Sequence, residues 1–468
     1  MAEEGRTLFC PGTPGAGKTI AAASAIEELK NRYRNDATVA VIYLYCNYQR
    51  KESQTAQDLF ESLLRQLFDG LPTLPGSIHA LYERYYQGQF RPRIDEVIHC
   101  IHEVAVTYSR VFIVIDALDE CSDTSGNECK KHSGDRTRLL SEVFQLQAQC
   151  LVNFFATSRP TPDILETFVQ YPSFEVRANE QDVLKYLDAH MSESPVFVIQ
   201  SPELQHQIKD GILQAMDGSF LLATLHLKSL ATQQSPETLL QALADLPTGS
   251  QAYTQVYEGL MQRIQAQPMG QTNLAIDALH WLAYARRPLK VKELQHALAV
   301  ELNSTELDHV KITAVKDIVS ACCGLAVVDE KSKFIRLVNH TAYEYFDGLP
   351  YHRFELAHAY IGKVCAAYLS FKVFLSGECY ASQLCERFQS NSLFEYASHY
   401  WDEHARRGCI RDSKTVKDFT ESAKAVEASC QGFCASLHDD SRLIFRFPDN
   451  FTPLHLSAYY GLSFESYS

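Results

Sequence analysis

The stretch Gly12-Thr13-Pro14-Gly15-Ala16-Gly17-Lys18-Thr19 narrows the possible folds more than any other part of this chain. It has the form G-x-x-x-x-G-K-[ST]. A short apolar run, TLFC (7–10), enters it, and a small-residue helical pattern (18–34) leaves it. Glycines let successive backbone N–H groups turn inward around phosphate oxygens. The lysine neutralises β- and γ-phosphate charge, and the hydroxyl after it suits Mg²⁺. The helix start adds the positive end of its dipole. A strand before and a helix after are the context such a loop requires. The expectation is a phosphate cradle from Gly12 to Thr19 that holds ATP or ADP with Mg²⁺.

Further apolar runs follow at 38–48, 110–120 and 150–160, with a shorter one at 173–178. Helical patterns at 18–34, 55–69, 94–108 and 137–149 separate the longer runs. The apolar stripe of the first helix is read through Ile20, Ala23, Ile26 and Leu29. Alternating strands and helices, with strands apolar almost throughout, predict a parallel sheet covered on both faces. Beyond residue 178 the period is helical. Residues 272–348 then give two helices, a third at about 312–321, and a hairpin over GLAVVDEKSKFIRLVNH with DEKSK at its turn. This is a winged-helix pattern. The expected fold is an α/β P-loop NTPase domain (1–178), a helical domain (179–271), a winged-helix domain (272–350) and a helical region (351–447).

Asp116 ends the strand 111–115, where ligands of open α/β sheets bind, and can hold Mg²⁺ together with Thr19. Many P-loop ATPases place a glutamate directly after this aspartate to orient water. Here that place is Ala117, and the next acids are Asp119 and Glu120. One of these can polarise water, or both are solvated loop acids; the spacing predicts slow hydrolysis. Arg159, just past a strand end within the run 150–160, can reach a γ-phosphate, or is a surface arginine ending a strand. Lys18, Asp116, Asp119, Glu120 and Arg159 form the candidate catalytic set. Cys129 and His132 have a plausible ligand spacing, but Cys121 is too far back to pair and no second ligand pair follows, so zinc is not favoured; His99 and His102 lack a nearby carboxylate pair and are read as structural.

The 468 residues carry a net charge of −14 and no long basic run, which argues against nucleic-acid binding. Fourteen scattered cysteines, no signal peptide pattern and no apolar run long enough to span a bilayer predict a soluble, cytoplasmic chain with free thiols.

CPGTPGAGKT, VFIVIDALDEC, NFFATSRP, GSFLLATLHLKSL, LPTGSQAYTQVYEGLMQRI, WLAYARRPLKVKELQHALAVE, GLAVVDEKSKFIRLVNHTAYEYF and TPLHLSAYYGL together resemble the NACHT family of signal-transduction ATPases with numerous domains (STAND). Within it they resemble the fungal NACHT–ankyrin type. The small residue after the metal aspartate and the delayed acids are that family's own variation. The resemblance implies a closed ADP-bound monomer that opens with ATP and self-associates. It also implies effector and sensor partners, and a role in self/non-self or innate-immune-like signalling. Against that family, the chain is expected to lack the N-terminal effector domain and most of the ankyrin repeats; a partial repeat is read at 448–468. Asn339 takes the place of the family's nucleotide-contacting histidine at the end of the wing strand, with His340 one residue later. Both are candidate nucleotide contacts.

The expected function is a nucleotide-dependent switch. The alternatives are a non-hydrolysing, ADP-bound scaffold or a regulatory fragment of a longer NACHT–ankyrin protein. A small-molecule kinase fits the long helical and winged-helix region poorly. The loop reads phosphates, not the base, and no guanine-reading motif is evident, so ATP is placed before GTP.

Overall fold

A computed structural model describes residues 6–47, 54–71, 75–86, 91–121, 134–249, 251–349 and 351–436. The partial ankyrin repeat at 448–468, Cys129 and His132 lie outside these residues. The chain divides into two units, Met1–Ala252 and Tyr253–Ser468.

In the first unit the apolar runs form strands, as their β-branched and aromatic content favours. These are β1 (Thr7–Pro11), β2 (Val39–Tyr45), β3 (Arg110–Asp116) and β4 (Val152–Ser158). All pair in parallel, in the order β1-β4-β3-β2. Helix α1 (Lys18–Arg32) covers one face through Ala22 and Ile26, packed on Val114. On the other face lie α2 (Ala56–Asp69), α3 (Gly76–Tyr86), α4 (Ile94–Ala105) and α5 (Asp135–Gln149). Leu63, Val104 and Leu139 are among the side chains they bury against Ile113 and Phe154. Helix α3 has no counterpart among the predicted helices.

Two expectations are corrected. Ile20 is not in the apolar stripe of α1: it is 71% exposed, while Ala22 is fully buried. Two residues turn the helix by about 200°, so Ile20 and Ala22 face opposite ways. The segment 173–178 runs extended beside β1 but makes a single bridge, Phe9 to Ser173, rather than a full strand. Its backbone still joins the ladder: Phe174 N donates to Phe9 O (2.9 Å) and Val176 N to Pro11 O (2.7 Å).

After α6 (Pro162–Phe168) come α7 (Glu180–His190), α8 (Val196–Ile199), α9 (Pro202–Ala215), α10 (Phe220–Leu230) and α11 (Pro236–Ala244). Ser201-Pro202 and Ser235-Pro236 start α9 and α11, each serine capping a backbone N–H ahead of a proline whose missing N–H costs nothing there.

The second unit begins at Tyr253, within α12 (Ala252–Gln265), and continues with α13 (Met269–Tyr284). Strand β5 (Leu289–Lys290), α14 (Val291–Ala299), α15 (Val315–Ala321), β6 (Ala326–Val328) and β7 (Phe334–Leu337) complete a winged helix. Its sheet is antiparallel, ordered β5-β7-β6. In the predicted DEKSK turn, Asp329 Oδ1 accepts from Lys331 N (2.9 Å) and Ser332 N (3.2 Å). Helices α16 (His340–Asp347), α17 (Tyr351–Leu369), α18 (Ala381–Ser390), α19 (Phe394–Arg407), α20 (Lys414–Glu421) and α21 (Ala423–Ser436) follow.

Helices α17 and α19 bury a histidine pair. His358 Nδ1 and His404 Nδ1 lie 2.7 Å apart, so one donates and the other accepts. His404 Nε2 meets Tyr396 Oη at 2.9 Å. Burial lowers the His358 pKa to about 3 and drives that of His404 well below its ordinary value, helped by the Arg286 and Arg407 charges. The unfolded chain therefore takes up protons below about pH 6.5 that the folded unit refuses, and stability falls as pH drops through that value. Both tryptophans of the chain, Trp281 and Trp401, belong to this unit. Urea unfolding followed by their fluorescence is expected to lose about 2–3 kcal/mol between pH 7.5 and pH 5.5. His358→Gln removes part of that slope.

Candidate phosphate-loop site

The register of the sheet brings its strand ends to one edge: Pro11 pairs with Ser158, and Tyr45 with Asp116. The loop from Gly12 to Gly17 leaves β1 at this edge and closes into α1, with Gly17 as helix cap. Two of its glycines are required by space. A Cβ on Gly12 would lie 2.6 Å from Val176 O. Gly15 has φ +74°, and a Cβ there would lie 2.3 Å from Leu221 Cβ.

Within the loop, Lys18 Nζ donates to Gly12 O (2.8 Å) and Thr13 O (3.0 Å). Ala16 N donates to Thr13 O (3.2 Å). Thr13 Oγ1 is buried with no hydrogen-bond partner among the described residues. Burial lowers the Lys18 ammonium below its ordinary pKa, against the pull of Asp119.

Pro14 and Gly15 are held from a segment about 200 residues away. Ser219, the buried N-cap of α10, donates through Oγ to Pro14 O (2.7 Å), and Phe220 N donates to Gly15 O (3.1 Å).

Asp116 is the centre of the site and is 3% exposed. Thr19 Oγ1 donates to its Oδ2 (2.7 Å), and Thr157 Oγ1 to its Oδ1 (2.5 Å). The Thr157 oxygen also accepts from Ala117 N (3.0 Å). Ala117 stands at φ 58°, ψ 53°, a left-handed conformation that disfavours large side chains. The chain then makes one tight turn, Leu118–Glu120, anchored by fully buried Leu118.

That turn delivers Asp119 to Arg159. Arg159 Nε donates to Asp119 Oδ2 (2.6 Å) and Arg159 N to Oδ1 (2.9 Å). Ser158 Oγ donates to the same Oδ1 (3.1 Å). Burial raises the Asp119 pKa, but the Arg159 hydrogen bonds and charge outweigh it and hold the carboxyl below its ordinary range. Glu120 is half-buried beside it and contributes to the field at Lys18.

The structure thus brings together Gly12, Thr13, Pro14, Gly15, Ala16, Gly17, Lys18, Thr19, Asp116, Asp119, Glu120 and Arg159. Asn339 and His340 belong to the second unit, and their predicted place at the end of a wing strand is corrected: β7 stops at Leu337, and Asn339 is the N-cap of α16. Asn339 Oδ1 accepts from Ala342 N (2.9 Å) and Tyr257 Oη (2.8 Å). A short polar side chain before a helix satisfies the helix's orphan N–H groups, and this preference ends the strand early. His340 is the first residue of that helix and pairs with Glu344 at 3.8 Å.

Thr157 and Ser219 were missed. A threonine and a serine ending the otherwise apolar run NFFATSRP signalled Thr157. Ser219 reads from sequence only as a helix cap. Of the histidines set aside, largely buried His102 meets Gln149 (2.7 Å) and Glu142 (3.5 Å), and exposed His99 meets Glu103 (3.3 Å).

The family model for "Nephrocystin 3, N-terminal" matches residues 1–159, and that for "GPI inositol-deacylase, winged helix domain" matches residues 261–349. The vegetative incompatibility protein HET-E-1 of Podospora anserina is 21% identical over 346 residues, which cover 71% of this chain and 24% of that protein. The chain thus spans about a quarter of that relative's length. A STAND protein with a tetratricopeptide repeat sensor from Pyrococcus horikoshii is similar in structure over 90% of this chain and 56% of its own, with 11% identity and a TM-score of 0.39. The ADP form of the Aeropyrum pernix ORC2 protein covers 78% of this chain and 88% of its own, with 13% identity and a TM-score of 0.30.

The parallel sheet, the G-x-x-x-x-G-K-T loop and the strand-end aspartate define a P-loop NTPase-type domain. The family-model match over that domain and the likeness to HET-E-1 support a NACHT-type STAND NTPase, with a winged helix after it.

Gly15→Ala would force apart the loop and α10. It is expected to cost roughly 2–4 kcal/mol, measured by urea denaturation followed by circular dichroism.

Proposed function

We propose that this chain is a nucleotide-dependent signalling switch that binds ATP or ADP with Mg²⁺ and hydrolyses ATP slowly. The observation that carries the reading is the meeting of Thr19 with Asp116 beside the Lys18 loop. Thr19 and Asp116 would hold Mg²⁺, which prefers a carboxylate, a hydroxyl and phosphate oxygens to an all-protein cage. The bound ion would neutralise phosphate charge. Lys18, now bonded to loop carbonyls, would turn to the β- and γ-phosphates, and the orphan Thr13 hydroxyl supports a ligand in the loop. Arg159 would read the γ-phosphate.

In this reading residues 1–178 form the nucleotide-binding domain, followed by helical (179–271), winged-helix (272–350) and helical (351–447) regions. Asn339 and His340 stay candidate contacts only through the family resemblance. Self-association with ATP, effector and sensor partners and a cytoplasmic setting complete the proposal. The name of HET-E-1 supports a role in self/non-self signalling. The net charge of −14 supports a function without nucleic acid. No helix among the described residues is long and apolar enough to cross a membrane.

A second reading, an ADP-bound scaffold that does not hydrolyse, is favoured by one observation: Ala117 stands where many ATPases carry the water-orienting glutamate. Phosphate release decides between the two. Release above background that Asp116→Ala abolishes excludes the scaffold.

Lys18→Ala is expected to weaken ATP binding by about 100-fold in calorimetry. Unchanged affinity would overturn the nucleotide reading. Mass spectrometry of nucleotide co-purifying with the chain is expected to find ADP, which would also fix the base.

A further inference from the structure

Asp119 and Glu120 are equivalent candidates in the sequence for activating water. Their surroundings are not equivalent. The left-handed step at Ala117 and the buried Leu118 turn Asp119 inward, where its side chain is 5% exposed. Both its oxygens are taken by donors from the end of β4: Ser158 Oγ, Arg159 N and Arg159 Nε. A carboxylate so engaged, beside a guanidinium, is a weak proton acceptor. What it does hold is Arg159. One contact fixes the arginine backbone and another fixes the Nε–H edge of the side chain, so the plane of the guanidinium is set. A guanidinium has four further N–H donors on its other edges, and their direction follows from that plane. The Arg159 charge is felt at Lys18, which puts both cations at one crevice.

We propose that Asp119 is a positioning residue, which orients Arg159 toward the γ-phosphate of a bound nucleoside triphosphate, and that water activation falls to Glu120 rather than to Asp119. This rests on the nucleotide-switch reading above. It assigns the two acids of LDE to different tasks: discrimination between triphosphate and diphosphate to Asp119 through Arg159, and hydrolysis to Glu120. Asp119 keeps its charge throughout and passes no proton.

The test uses the purified full chain and fluorescent analogues of ADP and of a non-hydrolysable ATP, with phosphate release measured in parallel. Asp119→Ala and Arg159→Ala are each expected to weaken the ATP analogue by about tenfold or more and to leave ADP nearly unchanged, the scale of one charged hydrogen bond. The double variant is expected to be no weaker than Arg159→Ala alone, because both remove one device. Glu120→Gln is expected to keep ATP affinity and lose phosphate release. A loss of discrimination separates positioning from a merely structural role, which would weaken both nucleotides alike. If Asp119→Ala does not fold, Arg159→Lys serves: it keeps the charge, lacks the Nε donor and is expected to lose the same discrimination.

An unchanged ATP/ADP ratio in these variants overturns the assignment. So does an Asp119→Ala protein that keeps ATP affinity and loses only phosphate release, since Asp119 would then be the base. A wild-type chain that binds neither analogue overturns the nucleotide reading and the assignment with it, whereas the first two results overturn the assignment alone.

Discussion

The parallel register of four strands is the constraint on which the candidate site depends. Because Pro11 aligns with Ser158, and Asp116 with Tyr45, the phosphate loop, the aspartate and the TSR segment all emerge at one edge. No single residue makes this happen. Strands apolar on both faces have to be covered by helices on both sides, and each crossover returns the chain to the far edge before the next strand begins. The polar ends Asp116, Thr157 and Ser158 are then gathered at the other edge, where they meet one another, the loop and the turn after β3. Thr157 shows how closely this is done: one hydroxyl donates to Asp116 and accepts from Ala117, fixing the carboxylate and the strained turn after it.

The loop is also held from outside the sheet. Ser219 and Phe220 bind the carbonyls of Pro14 and Gly15, and the side chain of Leu221 fills the space that a Cβ on Gly15 would need. The start of α10 therefore has contact with the loop backbone itself. A change in loop path that redirects those two carbonyls has to move the α10 terminus or break its capping bonds. Under the proposed function, this is a short physical route from the phosphates to the helical segment.

The features legible in the sequence were those fixed by local chemistry. The loop spacing, the apolar strands and Asp116 carry their own signal because backbone geometry and burial demand particular residues there. The winged-helix hairpin was legible for the same reason, through the DEKSK turn. The misreadings fall where two local rules compete. Asn339 fits the end of a strand by alignment with a family pattern, yet its short amide serves a helix start better, and the helix prevails. Ile20 fits an apolar stripe by type but not by phase. Ser219 was legible as a cap but not as a loop contact, since nothing local to it records a partner some 200 residues away. The difference between Asp119 and Glu120 was hidden for a similar reason: it depends on the φ of Ala117 and on β4.

The charges of the crevice constrain what can enter. Lys18 and Arg159 face Asp116, Asp119 and Glu120, and Asp119 is already committed to Arg159. Near Lys18 the remaining carboxylates oppose the lysine, so a bare polyphosphate would meet partial repulsion as well as attraction. Under the proposed function, a divalent cation held by Thr19 and Asp116 would reverse this, because it would convert the buried carboxylate from an obstacle into a ligand. The same balance would make the occupied state sensitive to one phosphoryl group. Under the proposed function, a diphosphate would engage Lys18, whereas a third phosphate would add an anion at the guanidinium that Asp119 orients. The difference between the two nucleotides would then be concentrated on one side chain, anchored to β4 and to the turn after β3.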